Sequence, residues 1–512
     1  RGTGRRFICR CAIQSKMKRI AIVGGGIAGV AAAYQVALQQ RAGADVEFVL
    51  FEATSRLGGI VETVRRDGFV IECGPDSWVT EKPWARELAS ELGLKSALVP
   101  SNDERRKTYI AIGNGITAMP DGMRMMVPTL LDGVVNSPLF SEQAKLAYLR
   151  EPKLAEQLKG NALDVGNGSR DESVRDFVVR HFGDEVANTI AAPLLAGVFG
   201  GDIAKLSVRA VMPTFVALER EYGSLILGLQ QRMGAGKTSA PIFTSLKSGL
   251  GSLISGMEFF LPERSVQRNV TVRSIELSGG VWRLQAIHSG DSCPIEATFD
   301  AVLVATPAAT TARLLNSVDT GIAKLLPQQS SSAIVVALGF TADQARSMHI
   351  PPGFGFLVPQ PELDADHIGD AEGNAADESR EDAAQQALLA CTFLNQKFPH
   401  TASDGAILLR AFFGGPLAPK LLEHADLTLI RLARTQLERY LGTLPETSIA
   451  LARRWPNSLP LYEVGHADRM AELDSRIAKL PHLRLIGNAY KGVGLPDLIR
   501  SGRAAAREIM AG

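Results

Sequence analysis

Residues 18–23, KRIAIV, are charged at the start and apolar at the end, the pattern of a short buried strand. A glycine-rich hexad fills 24–29. Residues 30–40 are Ala-rich and helical, and 45–51 form a second apolar run that ends at Glu52. Strand, turn, helix and strand in about 35 residues make one βαβ unit. Farther along, helical segments alternate with Gly/Pro turns over 82–152, and 119–139 is apolar, rich in Met and Leu and interrupted by Pro. Residues 161–171 are a polar break. Ser173 is a plausible N-cap for the helix that follows, and helix-forming sequence runs to about 231. Residues 266–287 read as a hairpin, VQRNVTVRSIEL and VWRLQAI joined by Ser-Gly-Gly. Strands are expected at 300–305, 333–340, 406–413 and 483–487, an amphipathic helix at 427–441, and a last helix from Pro496. No repeat of fixed period is visible.

Composition narrows the picture. A chain of 512 residues predicts two to four folded units. A net charge of +1 gives no argument for nucleic acid as a partner. Five Cys, with no CxxC pair and no Cys/His cluster at zinc spacing, point to no metal site and to a reducing, cytoplasmic setting. No run of about 18 apolar residues exists to span a membrane as a helix. Residues 1–16 carry several bases and no acid. They are read as a disordered extension upstream of Met17. Residues 361–382, with nine acids and one Arg, are read as a solvated insert.

Gly24, Gly26 and Gly29, with Gly25, Ile27 and Ala28 between them, form G-x-G-x-x-G at a strand–helix junction. The first Gly permits a tight turn, the second lets backbone approach a pyrophosphate, and the third lets helix and strand pack closely. The helix start offers free N–H groups to phosphate. Glu52, at the end of the second strand, is placed to accept from a ribose hydroxyl. Arg56 and the doublet Gly58–Gly59 follow at once, suited to a second long part of the ligand and to a charge-assisted phosphate contact. This combination resembles the glutathione-reductase-like FAD fold, in its flavin amine oxidase branch. No second GxGxxG marks a separate NAD(P)H domain. Gly234 to Thr238 imitates a phosphate loop but lacks its first Gly and a preceding strand, so it is read as a loop.

Seven motifs carry a closer resemblance: VGGGIAG, FEATSRLGG, GFVIECGPDSWVTEKP, AGVFGGD, SLKSGLGSLISGM, ACTFLNQKFPH and GNAYKGVGLPDLIRSG. Over about residues 18–510 the chain resembles the oxygen-dependent protoporphyrinogen/coproporphyrinogen oxidase family. The resemblance implies α/β and α+β architecture: a Rossmann FAD domain (17–90, 240–310, 450–512), a helical membrane-docking domain (100–235) and a mixed-sheet substrate domain (311–449). It implies noncovalent FAD, held by Gly24 to Gly29, Glu52, Ala53, Arg56, Gly58, Gly59, Gly74, Pro75, Asp76, Ser77, Val272, Trp455, Val493, Gly494 and Leu495. Val272 would meet the adenine through its backbone. The N–H groups of 493–495 would face the flavin edge where charge gathers on reduction.

The implied reaction removes six electrons from a porphyrinogen in three hydride transfers to flavin N5, with O2 reduced to H2O2. It needs a flat apolar slot, for which Phe340 and Phe354 are the expected walls, and an anchor for propionates, for which Lys82 is the candidate. The eight His show no constellation, so no protein base is expected. Two departures stand out: Ile60 replaces a residue often basic in the family, and the acidic insert is long. The implied partners are the porphyrinogen, O2 and a peripheral membrane surface at the inner face of the plasma membrane, with the chain a monomer or homodimer. The alternatives are another flavin amine oxidase-like oxidase or desaturase, and a flavoprotein or porphyrin binder without turnover.

Overall fold

The computed structural model describes residues 17–164, 171–234, 241–291, 293–360 and 387–511. The expected extension at 1–16, the acidic insert at 361–382 and most of the loop at 234–238 lie outside the described residues. Two sheets organise the rest, in keeping with the expected α/β and α+β class. The first has five parallel strands, in the order Val266–Gln267, Val46–Phe51, Lys18–Val23, Ala301–Val304, Leu483–Leu485. Four remote chain segments thus meet in one sheet. Parallel strands covered on both faces read as continuous apolar runs, and Ile20, Ala21 and Ile22 are fully buried. Ile20 and Ile22 face the helices Ile27–Arg41 and Leu495–Ala511. Ala21 and Val23 face a three-stranded antiparallel layer, Val270–Ser278, Val281–His288 and Ile295–Phe299. The expected hairpin therefore starts four residues late. Val266–Gln267 joins the parallel sheet, and Asn269, with φ 58°, turns the chain into the hairpin.

The second sheet has seven strands, in the order Ile449–Pro460, Ser330–Phe340, Ile407–Phe413, Leu388–Phe393, Gly355–Leu357, Thr108–Ile112, Gly115–Ala118. All neighbours are antiparallel except Gly355–Leu357 with Thr108–Ile112. Helix Asp426–Leu441 covers one face through Leu429, Ala433 and Leu437. Two expected boundaries run through this sheet. Thr108–Ile112 and Gly115–Ala118, placed by sequence in the helical segment, and Ile449–Pro460, placed largely in the last FAD segment, hydrogen-bond within it. Short strands such as TYIAI have too few residues for periodicity to separate them from helix turns.

The helical group includes Glu142–Arg150, Ala155–Asp164, Val174–Phe182, Ala192–Phe199, Pro213–Tyr222 and Leu225–Gly234. Ser173 caps its helix as expected, its hydroxyl accepting from the Asp176 N–H at 3.0 Å. Residues 119–139 fold into short elements. Met123–Arg124 pairs with Val127–Pro128, a short helix spans Leu131–Val135, and Met126, Val127 and Val134 are fully buried. Leu130, at 62% exposure, points outward. Among the described residues no helix is long and apolar enough to cross a membrane.

The two helices against the parallel sheet touch backbone to backbone: a Cβ at Gly502 would lie 2.2 Å from the Ala28 carbonyl oxygen. Gly502→Ala should therefore lower the Tm by several degrees, since overpacking costs about 1–3 kcal/mol. At Gly160, in helix Ala155–Asp164, an added Cβ meets nothing within 4 Å. Gly160→Ala should raise the Tm or leave it unchanged, because Ala favours helix by about 1 kcal/mol. Thermal unfolding of both variants checks the contrast, and an unchanged Tm in Gly502→Ala would contradict the close packing.

Candidate functional site

A cavity of about 520 Å³ opens at the carboxyl ends of Lys18–Val23, Val46–Phe51 and Ala301–Val304. That is where open α/β sheets place ligands, and the size suits an organic cofactor. Of the sequence candidates, Gly24, Gly25, Gly26, Ile27, Ala28, Glu52, Ala53, Arg56, Gly58, Gly59, Val272 and Trp455 line it, as does Ile60. Gly29 lies underneath, where a Cβ would sit 1.9 Å from the Gly24 carbonyl oxygen. Gly24 has φ +107°, and a Cβ there would meet the Ala305 oxygen at 2.7 Å. At Gly26 the same test finds open space. The turn is thus crowded from below and free toward the cavity.

The local chemistry suits an anionic ligand. Helix Ile27–Arg41 starts at Gly26 with no side-chain cap and no acid in its first turn, so its N–H groups and positive dipole end face the cavity unneutralised. The Glu52 carboxylate accepts from the Gly25 N–H at 2.8 Å and from the Thr54 N–H and hydroxyl at 2.8 and 2.7 Å. These contacts aim it along the rim. Gly58 N–H donates to the Gly25 carbonyl at 2.8 Å, which ties the second Gly doublet to the first turn. The Arg56 guanidinium donates to the carbonyls of Leu57, Gly59 and Val61 and lies over the Trp455 ring, 5.7 Å from its centroid. The Trp455 indole N–H is fixed on the Cys73 carbonyl at 2.7 Å. Buried main-chain groups, an uncapped helix start and a rim carboxylate together fit the pyrophosphate and ribose of a dinucleotide.

Sequence reasoning missed the far wall. Ala305, Thr306 and Pro307 come from the connection between strand Ala301–Val304 and helix Ala308–Leu315, Thr310 from that helix's first turn, and Gly487 and Asn488 follow Leu483–Leu485. The apolar strand at 300–305 followed by Thr-Pro was a readable βα start. Its position beside Lys18–Val23 was not readable from local pattern.

Other candidates lie elsewhere. Val493, Gly494 and Leu495 stand at the head of the C-terminal helix, of which Leu498 reaches the cavity wall. Phe340 is fully buried in the core between the seven-stranded sheet and helix Asp426–Leu441 and does not line this cavity. Phe354 is buried too, and it does not line this cavity. Lys82, half exposed, forms an ion pair at 2.5 Å with Asp497, which is buried in the first turn of the C-terminal helix.

The segment Gly74 to Ser77 is held from the other sheet. A Cβ at Gly74 would meet the Ile60 carbonyl oxygen at 2.0 Å. Asp76 accepts from Lys397 Nζ at 2.8 Å and from Arg410 at 2.9 Å, and Arg410 also donates to the Gly74 carbonyl. Burial alone would raise the Asp76 pKa, but the Lys397 ammonium and Arg410 guanidinium outweigh it and hold it down at about 2. Lys397 and Arg410 were not among the sequence candidates. Four residues before Asp76, Glu72 accepts from the Leu250 N–H at 2.6 Å and the Thr63 hydroxyl at 2.8 Å with no cation in contact, and burial pushes its pKa up to about 7.

One histidine in the helical group is enclosed by carboxylates. His181 sits fully buried between Glu151, 3.0 Å from Nδ1, and Glu219, 3.1 Å from Nε2, with Arg180 bound to Glu219 and Glu172. Its partners come from other helices, so no local motif announces it. It lies away from the cavity and is closed to solvent.

The profile of the family described as flavin containing amine oxidoreductase matches residues 27–510. The coproporphyrinogen III oxidase of Bacillus subtilis (strain 168) is 31% identical over 503 residues, covering 96% of this chain and 98% of that protein. The protoporphyrinogen oxidase of Homo sapiens is 29% identical, covering 96% and 98%. A solved structure from Exiguobacterium sp. 255-15, proposed to be a protoporphyrinogen oxidase, is 32% identical with a TM-score of 0.77, covering 97% and 99%.

The two buried carboxyls predict opposite pH effects. The folded-state pKa of Glu72 is raised from 4.5 to about 7. Its contribution to stability is therefore complete below pH 4.5 and is lost as pH rises through 7, a loss on the order of 3 kcal/mol. Asp76, depressed from 3.8 to about 2, contributes above pH 3.8 and loses that contribution as pH falls through 2. Urea unfolding between about pH 4.5 and 8 should show Glu72→Gln gaining stability relative to the parent as pH rises. A constant difference across that range would contradict the raised pKa.

Proposed function

The chain belongs to the flavin-containing amine oxidoreductases, and from that premise we propose that it is an FAD-dependent oxidase that converts a porphyrinogen to the porphyrin in haem synthesis, with O2 as the final acceptor. The supporting observation is the pairing of a dinucleotide cavity at the sheet edge with similarity, over nearly the whole length of both proteins, to coproporphyrinogen III and protoporphyrinogen oxidases. Six electrons leave the substrate in three two-electron steps, and three O2 become three H2O2. Bound FAD supplies the two-electron acceptor that no side chain can provide.

The chain's own residues bind, orient and exclude water. The N–H groups at the start of helix Ile27–Arg41 hold the pyrophosphate, and Glu52 takes a ribose hydroxyl. The backbone of Val272, 5% exposed and on the cavity wall, takes the adenine. Gly58, Gly59 and Ile60 leave room for the ligand to pass toward Trp455. Val493, Gly494 and Leu495, at the head of the C-terminal helix, would offer N–H groups and the positive end of the helix dipole to the flavin. Gly74 to Ser77, fixed by Lys397 and Arg410, form a rigid support between cofactor and substrate sheet. The FAD is held noncovalently, as in the family that the chain resembles. Lys82 keeps a solvent-facing side beside Asp497 and offers it to a propionate.

Acid precipitation of purified protein should release all flavin into the supernatant. Anaerobic mixing with coproporphyrinogen or protoporphyrinogen should bleach the flavin within a turnover time, and air should restore the colour with H2O2 formed. Flavin retained in the pellet would sink noncovalent binding. A spectrum unchanged by both porphyrinogens would sink the proposed substrate class.

Lys82→Ala should raise KM for the porphyrinogen by a few-fold with a smaller change in kcat. An exposed charge pair is worth about 0.2–1 kcal/mol, and more when the ligand desolvates it. Steady-state kinetics at fixed FAD occupancy test this. An unchanged KM in a folded, flavin-loaded variant would move the anchor elsewhere.

A further inference from the structure

The segment Leu459 to His466, LPLYEVGH, follows the cavity-lining residues Trp455, Pro456 and Ser458 and takes no part in the lining itself. In the structure Tyr462, 2% exposed, runs beneath the turn that joins strand Leu483–Leu485 to helix Leu495–Ala511. Its hydroxyl donates to the Asn488 carbonyl at 2.6 Å and accepts from the Gly492 N–H at 3.1 Å. One phenol thus spans both ends of the 488–492 turn, and Gly492, with φ +97°, is the point where that turn reverses.

The Tyr462 ring is itself seated. His466 stacks on it, with centroids 3.9 Å apart and planes 11° apart. His466 Nε2 lies 3.0 Å from the Tyr490 carbonyl, so it donates, and the ring carries its proton there when neutral. Burial pushes the His466 pKa down, which favours that neutral form. Two side chains four residues apart therefore hold peptide groups at 488, 490 and 492. The Tyr462 carbonyl accepts from the Ser207 N–H at 2.7 Å, which fastens the same residue to the helical group. Asn488 closes the circuit: it lines the cavity, and its amide donates to the carbonyl of Ser458, another lining residue, at 2.8 Å.

We propose that Tyr462, seated on His466, is a positioning residue that sets the 488–492 turn, and through it the N–H groups of Val493, Gly494 and Leu495, against the bound flavin. The inference rests on the FAD reading above and adds to it the device that aims the C-terminal helix. An aimed helix start stabilises charge on the flavin edge and so favours the reduced cofactor over the oxidised one. Removing the hydroxyl leaves the ring, its stacking and its volume in place. It frees a donor and an acceptor of the turn.

The test measures FAD binding by the apoprotein and the midpoint potential of the bound flavin in the parent, Tyr462→Phe and His466→Phe. In Tyr462→Phe, affinity should fall about tenfold for reduced FAD and about threefold for oxidised FAD, so the potential should move to a more negative value. His466→Phe, which keeps an aromatic seat and loses only the bond to Tyr490, should move both readouts in the same direction by less. A residue that merely stabilised the fold would lower the Tm without changing the ratio of the two affinities. An unchanged ratio in folded Tyr462→Phe overturns the proposal. If that variant does not fold, an unchanged ratio in His466→Phe overturns it and a lowered ratio supports it. A parent apoprotein that binds no FAD would instead overturn the cofactor reading.

Discussion

Backbone packed on backbone around residues 24–29 is the constraint on which the rest of the structure depends. Three close approaches meet there: Gly24 against the Ala305 carbonyl, Gly29 against Gly24, and Gly502 against Ala28. None leaves room for a Cβ. Together they draw the first strand, the strand at 301–304 and the C-terminal helix to one point, although these lie hundreds of residues apart in the chain. The result is a turn compressed from below whose upper side is open, with an uncapped helix start directed into the opening. Free polar groups at a helix start of this kind suit an anionic ligand.

A second tie joins this unit to the seven-stranded sheet. Asp76 is bound by Lys397 and Arg410, with side-chain exposures of 11%, 11% and 1%. Taking three charges out of water is costly, and such a cluster stabilises only when its hydrogen bonds are well made. Here Ser77 and the Gly74 carbonyl share in satisfying it. The tie leaves the loop at 74–77 little freedom between the cofactor cavity and the sheet behind it.

The βαβ unit, Glu52, Arg56 and the Gly58–Gly59 doublet were legible in the sequence from local spacing, whereas Val272 and Trp455 came only with the family resemblance. All of them lie at the cavity. What was not legible is set by long-range order. The wall at 305–307 and 487–488 exists because the sheet places Ala301–Val304 beside Lys18–Val23 and Leu483–Leu485 beyond it. Phe340 ends an apolar strand that is buried on both sides, and such a run does not distinguish a slot wall from core. The partner of Lys82, Asp497, lies 415 positions away. The carboxylates that enclose His181 come from helices that only tertiary packing brings together.

Gly26 offers the most direct test of the central claim that this cavity is the dinucleotide site. Its backbone is extended, with φ −65° and ψ 171°, so a side chain is tolerated, and a Cβ there meets no protein atom within 4 Å. Gly26→Val should therefore fold with a parental circular dichroism spectrum and emerge from purification colourless, with FAD affinity lowered at least a hundredfold, because the new side chain occupies the space of the pyrophosphate. A folded Gly26→Val protein that binds one FAD per chain with parental affinity would contradict the account.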